Sequence, residues 1–175
     1  METLVLVDEK DNEVGTASRE EAHRGNGKRH RAFVVFLFKD KKLLLQRRSM
    51  NKKLWPGYWD VSYTSHVYPR ETYLDAAKRR ALQELGVEVN ELRDVLSFAY
   101  WAPFDEYSEN EFCRLLVGKI EREVKPNPEE IMDVRYLTLK DAEKEVSERP
   151  ELFTPWFKIS LSKFMVSQES SEFMA

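Results

Sequence analysis

The chain has few residues from which to build cross-links: of its 175 residues, one is cysteine and three are histidine. The single Cys113 excludes an internal disulfide framework and fits a reducing compartment. Long hydrophobic runs are also missing. The stretch AFVVFLF, Ala32 to Phe38, is strand-sized and far below membrane-spanning length, so no membrane association is expected. The opening METLVLVDEKDNE has neither a basic n-region nor an apolar h-region, so no signal peptide is expected and a cytoplasmic location follows. A formal charge of −3 offers no support for nucleic acid as the main partner. No internal repeat, low-complexity linker or domain boundary stands out. What remains is a globular composition, 42% hydrophobic and 12% aromatic, in one domain long enough to bury a sizeable core.

Along the chain, LVLVD and EVGTAS read as a hairpin around a polar turn. Ser18 with Glu21 forms a capping box for a short helical turn ending near His23. HRAFVVFLF and KLLLQRR read as a second, buried hairpin, and NKKLWPGYW as a loop punctuated by Pro56 and Gly57. WDVSY reads as a short strand. From about Glu71 the period becomes helical, with Leu74, Ala77, Ala81 and Leu85 on one stripe and Gly86 as the stop. VLSFAYWA, FCRLLVGKI and VRYLTL read as three strands. Thr138 with Asp141 caps a helix through DAEKEV, a last helix runs from about Thr154 to Phe164, and residues 169–175 read as a polar, frayed tail beyond a single domain of residues 1–168. This order suits a mixed sheet with helices against its faces.

Four groups of residues carry candidate chemistry. Glu109 and Glu111, two apart on a strand, share a face: a cation or shared proton must offset their repulsion if buried, whereas an exposed edge strand asks for neither. His23, His30 and His66, with those carboxylates, make a mixed nitrogen and oxygen donor set for a borderline divalent ion, though their spacing alone does not demand one. Arg80 and Glu84 share a helix face, either as a surface ion pair or as a phosphate contact beside a Mg²⁺ ligand. Arg47, Arg48, Lys52 and Lys53 form either a solvated loop or part of an anion pocket.

Taken in order, AHRGNGKRHRAF, RRSMNKKLWPGYWDVS, SHVYPRE, AAKRRALQELGV, SENEFC and FTPWFKI resemble the Nudix superfamily and, within it, the type I isopentenyl-diphosphate isomerases. The resemblance runs from about Val5 to Phe164. It implies an α/β fold, a Nudix-type α/β/α sandwich with a mixed β-sheet and an N-terminal β-hairpin extension. It also implies that His23, His30, His66, Glu109 and Glu111 hold a divalent ion (Zn²⁺, Mn²⁺ or Fe²⁺), and that Glu84 holds Mg²⁺ together with a small-molecule diphosphate substrate. Arg19, Arg48, Lys52 and Arg80 match diphosphate-binding positions, and Tyr100 and Trp156 match active-site aromatics. Trp156 reads equally well as a core tryptophan at a helix start.

One departure bears on activity. The isomerases move a double bond through a tertiary carbocation, sharing the proton traffic between a metal-bound glutamate, matched by Glu111, and a cysteine. Thr64 occupies the cysteine position. A thiol titrates near about 8.5, whereas a threonine hydroxyl is a poor proton-transfer group at neutral pH. Cys113, two beyond Glu111, reads as a small buried hydrophobe before it reads as a substitute acid. Three expectations follow: an isomerase of isopentenyl diphosphate or a related allylic diphosphate with an altered acid site, a Nudix hydrolase of a nucleoside or prenyl diphosphate, or a diphosphate-binding relative without turnover. Arg80 and Gln83, where a hydrolase would place carboxylates, count against the second.

Overall fold

The computed structural model describes residues 1–174. The elements are β1 (Thr3–Val7), β2 (Glu13–Ser18), α1 (Arg19–His23), β3 (His30–Lys39), β4 (Lys42–Arg48), β5 (Trp59–Asp60), β6 (Tyr63–His66), α2 (Tyr73–Leu85), β7 (Leu92–Phe104), β8 (Tyr107–Lys119), β9 (Ile131–Leu137), α3 (Leu139–Glu148) and α4 (Pro155–Met165). The strands form one mixed network. β3 pairs antiparallel with β1, β4 and β6 and parallel with β8; β7 closes on β8, and β9 and β5 on β4.

β3 shows why the sheet is a middle layer. Its apolar run is continuous because both faces are buried. Ala32, Val34, Phe36 and Phe38 pack with Phe157, Leu161 and Phe164 of α4 on one face. Phe33, Val35 and Leu37 pack with Ala77, Ala81 and Leu85 of α2 on the other. Strand alternation assigns each residue to its layer. The expected α/β/α sandwich with an N-terminal hairpin is thus the observed one.

Local signals hold at most boundaries. Ser18 and Glu21 form the capping box of α1, Thr138 caps α3 through the Asp141 amide, and Gly86 ends α2 in the left-handed conformation at φ 63°. Four expectations are corrected. α2 starts at Tyr73, where Thr72 and Asp75 make a second capping box, and Leu74 faces solvent while Ala76 takes its place on the buried stripe. WDVSY splits into β5 and β6, because Ser62 turns its hydroxyl onto the Leu44 carbonyl and accepts from the Leu37 amide. The second hairpin opens after two residue pairs, since β6 and β8 take the length of β3. The tail is not frayed over Gln168–Phe173: it forms a 3₁₀ turn whose Phe173 is buried and stacked on Phe38 with ring centroids 3.9 Å apart. Ala175, the end of the expected tail, lies outside the described residues.

Candidate metal centre and anion pocket

Strand register assembles the site. His66 of β6 lies opposite Ala32 of β3, and His30 of β3 opposite Glu111 of β8, which in turn faces Tyr100 of β7. Glu109 stands one pleat further along β8, and the capped turn α1 swings His23 over the end of the sheet. β8 is a central strand and both glutamates are buried, so the exposed-edge reading is excluded.

The three imidazole rings lie with centroids 4.6, 4.9 and 5.1 Å apart. One donor atom from each of His23, His30, His66 and Glu109 falls within 4.8 Å of every other. Main-chain bonds orient two of the rings: His23 Nδ1 donates to the Arg19 carbonyl at 2.6 Å and His30 Nδ1 to the Lys28 carbonyl at 2.8 Å. Each Nε2 is thereby turned into the cluster, the orientation a metal ligand requires. His30 Nε2 is buried with no hydrogen-bond partner, and buried Glu109 Oε2, though 3.1 Å from His23 Nε2, has no properly directed one. Buried polar atoms left in this state are costly, and a divalent cation would satisfy both. The donor set therefore fits such an ion. Glu111 borders the set, with Oε2 3.5 Å from His30 Nε2 and 3.7 Å from His66 Nε2, while its Oε1 accepts the Tyr100 hydroxyl proton.

Titration follows from burial and charge. Burial disfavours charged His23, but the adjoining Glu109 outweighs it and lifts its pKa to about 9. Burial and the neighbouring His30 and His23 hold His66 well below its usual value, hence neutral. Burial raises Glu111, and the charge of Glu109 adds to it; in Glu109 the same burial is overcome by His23.

Beside this cluster lies a cavity of about 70 Å³ lined by Arg19, Arg48, Lys52, Arg80, Thr64, His66, Glu111 and Trp156, with Glu2, Ser65, Glu109 and Glu130. The expected catalytic and anion-binding residues other than Tyr100 and Glu84 thus face one space, and those two stand behind it on Glu111 and Arg80. Arg80 donates to Glu84 and lies 3.4 Å from Glu130, which also binds Lys52. Arg79 grips Glu71 through two bonds of 2.7 and 2.9 Å while stacking on Tyr68, and so shapes the loop that follows His66. Arg48 donates to the carbonyls of Leu54 and Trp55 and to Asp60, so much of its hydrogen-bonding capacity staples the loop. The Thr64 hydroxyl donates to the Phe33 carbonyl at 2.7 Å. Cys113 is fully buried across from Ala32, and burial with the nearby glutamates pushes its thiol far up, as in an inert core residue.

Three participants escaped sequence reasoning. Asp60, fully buried, accepts from Trp156 Nε1 at 2.7 Å, Thr154 at 3.1 Å and Arg48 at 3.1 Å, and thereby sets the tryptophan against the cavity. Its signal was an acid inside the apolar WDVSY, which burial obliges to find partners. Glu130 and Glu2, in a loop and at a strand entry, carried no local signal.

The NUDIX domain model matches residues 28–157. This chain belongs to the NUDIX family. The NUDIX protein is 38% identical to isopentenyl-diphosphate Delta-isomerase 1 of Photorhabdus laumondii over 90% of its own length and 92% of the relative's. It is 35% identical to the isopentenyl-diphosphate Delta-isomerase of Salmonella arizonae, over 98% and 96% of the two chains. Among solved structures, the DR0079 protein of Deinococcus radiodurans superposes with TM-score 0.70 at 29% identity, over 84% of this chain and 90% of that one. A MutT NUDIX hydrolase from Burkholderia pseudomallei shares the fold at TM-score 0.63 and 16% identity, over 77% and 96% of the chains. No helix among the described residues is long and apolar enough to cross a membrane.

Proposed function

We propose that this NUDIX protein isomerises isopentenyl diphosphate to dimethylallyl diphosphate, or acts in the same way on a closely related allylic diphosphate. One observation carries the reading: a single cavity is lined at once by Glu111, Thr64 and Trp156 and by Arg19, Lys52 and Arg80. Proton-handling groups and anion-binding groups thus line one space. The near full-length likeness to two proteins named as isopentenyl-diphosphate Delta-isomerases supports it.

In this reading Arg19, Lys52 and Arg80 bind and orient the diphosphate. Arg48 adds charge and holds the loop. Glu84 supplies a carboxylate for Mg²⁺ accompanying the substrate. His23, His30, His66, Glu109 and Glu111 would hold a second divalent ion, Zn²⁺, Mn²⁺ or Fe²⁺, which supplies local positive charge that tunes the Glu111 carboxyl. Glu111, hydrogen-bonded by Tyr100 and kept dry, holds or takes a proton at Oε2. Trp156 presents an aromatic wall to a carbocation. Thr64 is the weak point: its proton is already given to the main chain, so on that side it offers an acceptor lone pair and no free acid.

The test is incubation of metal-loaded protein with isopentenyl diphosphate and Mg²⁺ in D₂O, followed by NMR, for wild type, Thr64→Cys and Glu111→Gln. Deuterium uptake or dimethylallyl diphosphate from wild type, lost in Glu111→Gln, is the expected result. Phosphate or pyrophosphate release without isomerisation would point to a hydrolase instead. Turnover by Thr64→Cys alone would mark a diphosphate-binding scaffold lacking its acid.

A further inference from the structure

Every cation expected to bind the diphosphate is held by a carboxylate in this structure. Arg48 is held by Asp60, Lys52 by Glu130, Arg80 by Glu84 and Arg19 by Glu2. The first three pairs are built into the fold, with no side chain more than 26% exposed. The fourth differs: Arg19 and Glu2 are 55% and 38% exposed, and joined by one contact of 3.2 Å. An exposed pair of this kind is held weakly and exchanges partners at little cost.

Glu2 is nevertheless well placed. Its carbonyl accepts the Arg19 amide, and Thr3 pairs with Ser18, so the strand entry is zipped against the start of α1. Its other carboxylate oxygen accepts the Tyr68 hydroxyl at 2.6 Å, and Tyr68 lies beneath the Arg79 guanidinium in the loop before α2. Glu2 thus spans the cavity wall from α1 to the α2 loop and lines the cavity itself. Burial would raise its carboxyl, but Tyr68, Arg19 and Arg80 together bring it below its usual value, so it is anionic at neutral pH.

We propose that Glu2 is an internal anion: its carboxylate holds Arg19 where a substrate phosphate would, and yields Arg19 when a diphosphate enters. The inference rests on the diphosphate reading of the cavity. Glu2 then lowers affinity for anions in general and keeps Arg19 paired until a substrate with enough charge displaces it. Tyr68 retains the released carboxylate at the wall, so the segment need not detach.

The experiment is calorimetric binding of inorganic pyrophosphate with Mg²⁺ to the full chain as wild type, Glu2→Gln, Glu2→Asp, Arg19→Gln and Glu2→Gln with Arg19→Gln. Glu2→Gln removes the competing charge and keeps an oxygen for Tyr68. We expect it to bind pyrophosphate about threefold to fivefold more tightly. Glu2→Asp, which preserves the charge, should stay near wild type and controls for loss of order at the strand entry. In the Arg19→Gln background the gain should fall below about twofold, the signature of a pair that acts together. Unchanged or weaker binding by Glu2→Gln, or a gain that persists without Arg19, overturns the inference while leaving the diphosphate reading intact. Failure of every protein, wild type included, to bind pyrophosphate overturns both.

Discussion

The Thr64 hydroxyl donates its proton to the main-chain carbonyl of Phe33 at 2.7 Å, across the β6–β3 pairing. Where the family resemblance implies a cysteine, this chain carries a side chain whose hydroxyl hydrogen is committed to the sheet. A hydroxyl in that state stabilises the fold and can accept a hydrogen bond, but to deliver a proton it must first give up the Phe33 carbonyl.

Thr64→Cys should therefore raise the rate of deuterium uptake into isopentenyl diphosphate by about 10²–10⁴-fold, the usual contribution of a positioned proton-transfer group. Loss of the hydroxyl bond should cost about 1 kcal/mol of stability. The pair of measurements is an NMR exchange rate and a urea midpoint. A rate equal to that of wild type would show that the Thr64 position does not limit proton transfer.

Asp60 ties Arg48, Thr154 and Trp156 together with no exposure to water. Asp60→Ala leaves the Arg48 guanidinium buried without its counter-charge and should destabilise the protein by about 3–5 kcal/mol. Denaturant unfolding followed by tryptophan fluorescence measures it. A loss under about 1 kcal/mol would mean that Arg48 finds another partner.

The His/Glu cluster should make the protein's melting temperature depend on divalent ions. At a free concentration about 100 times the dissociation constant, Zn²⁺ or Mn²⁺ adds about 2.7 kcal/mol, hence roughly 5–10 °C for a chain of this size. His66→Ala should remove most of that shift, and a chelator should reverse it in wild type. Calorimetric scans with and without each ion decide the matter, independently of any enzymatic activity.

Acid sensitivity should centre partly on Glu71. Burial raises its carboxyl, but the bonds from Arg79 and from the Tyr68 amide win, so the folded value lies below the ordinary 4.5. A depressed carboxyl contributes its stability above the unfolded value and loses it as pH falls through the lower folded one. Glu71→Gln should then cost about 1–2 kcal/mol at pH 7 and progressively less below pH 4.5, where wild type loses the same interaction. Parallel unfolding curves at pH 7 and pH 3.5 test the convergence.

Much of this could be read in the residues before any folding. Period-2 spacing put Glu109 and Glu111 on one face, a capping box marked α1 and an N-cap threonine marked α3, because these rules act within one element. His23, His30 and His66 with Glu109 and Glu111 were nameable, since so few histidines exist to choose from. The tertiary structure decided what lies between elements. The parallel pairing of β3 with β8 joins His30 to Glu111 across a long stretch of chain, and no local pattern specifies that register. The same pairing of distant strands decided that Thr64 bonds Phe33. Chain crossings outside any period made Asp60 a buried hub, gave Glu2 to Arg19 and seated Phe173 on Phe38. A side chain's chemistry is intrinsic to its residue, but the partner that consumes or frees it is set by which distant segment the core brings alongside.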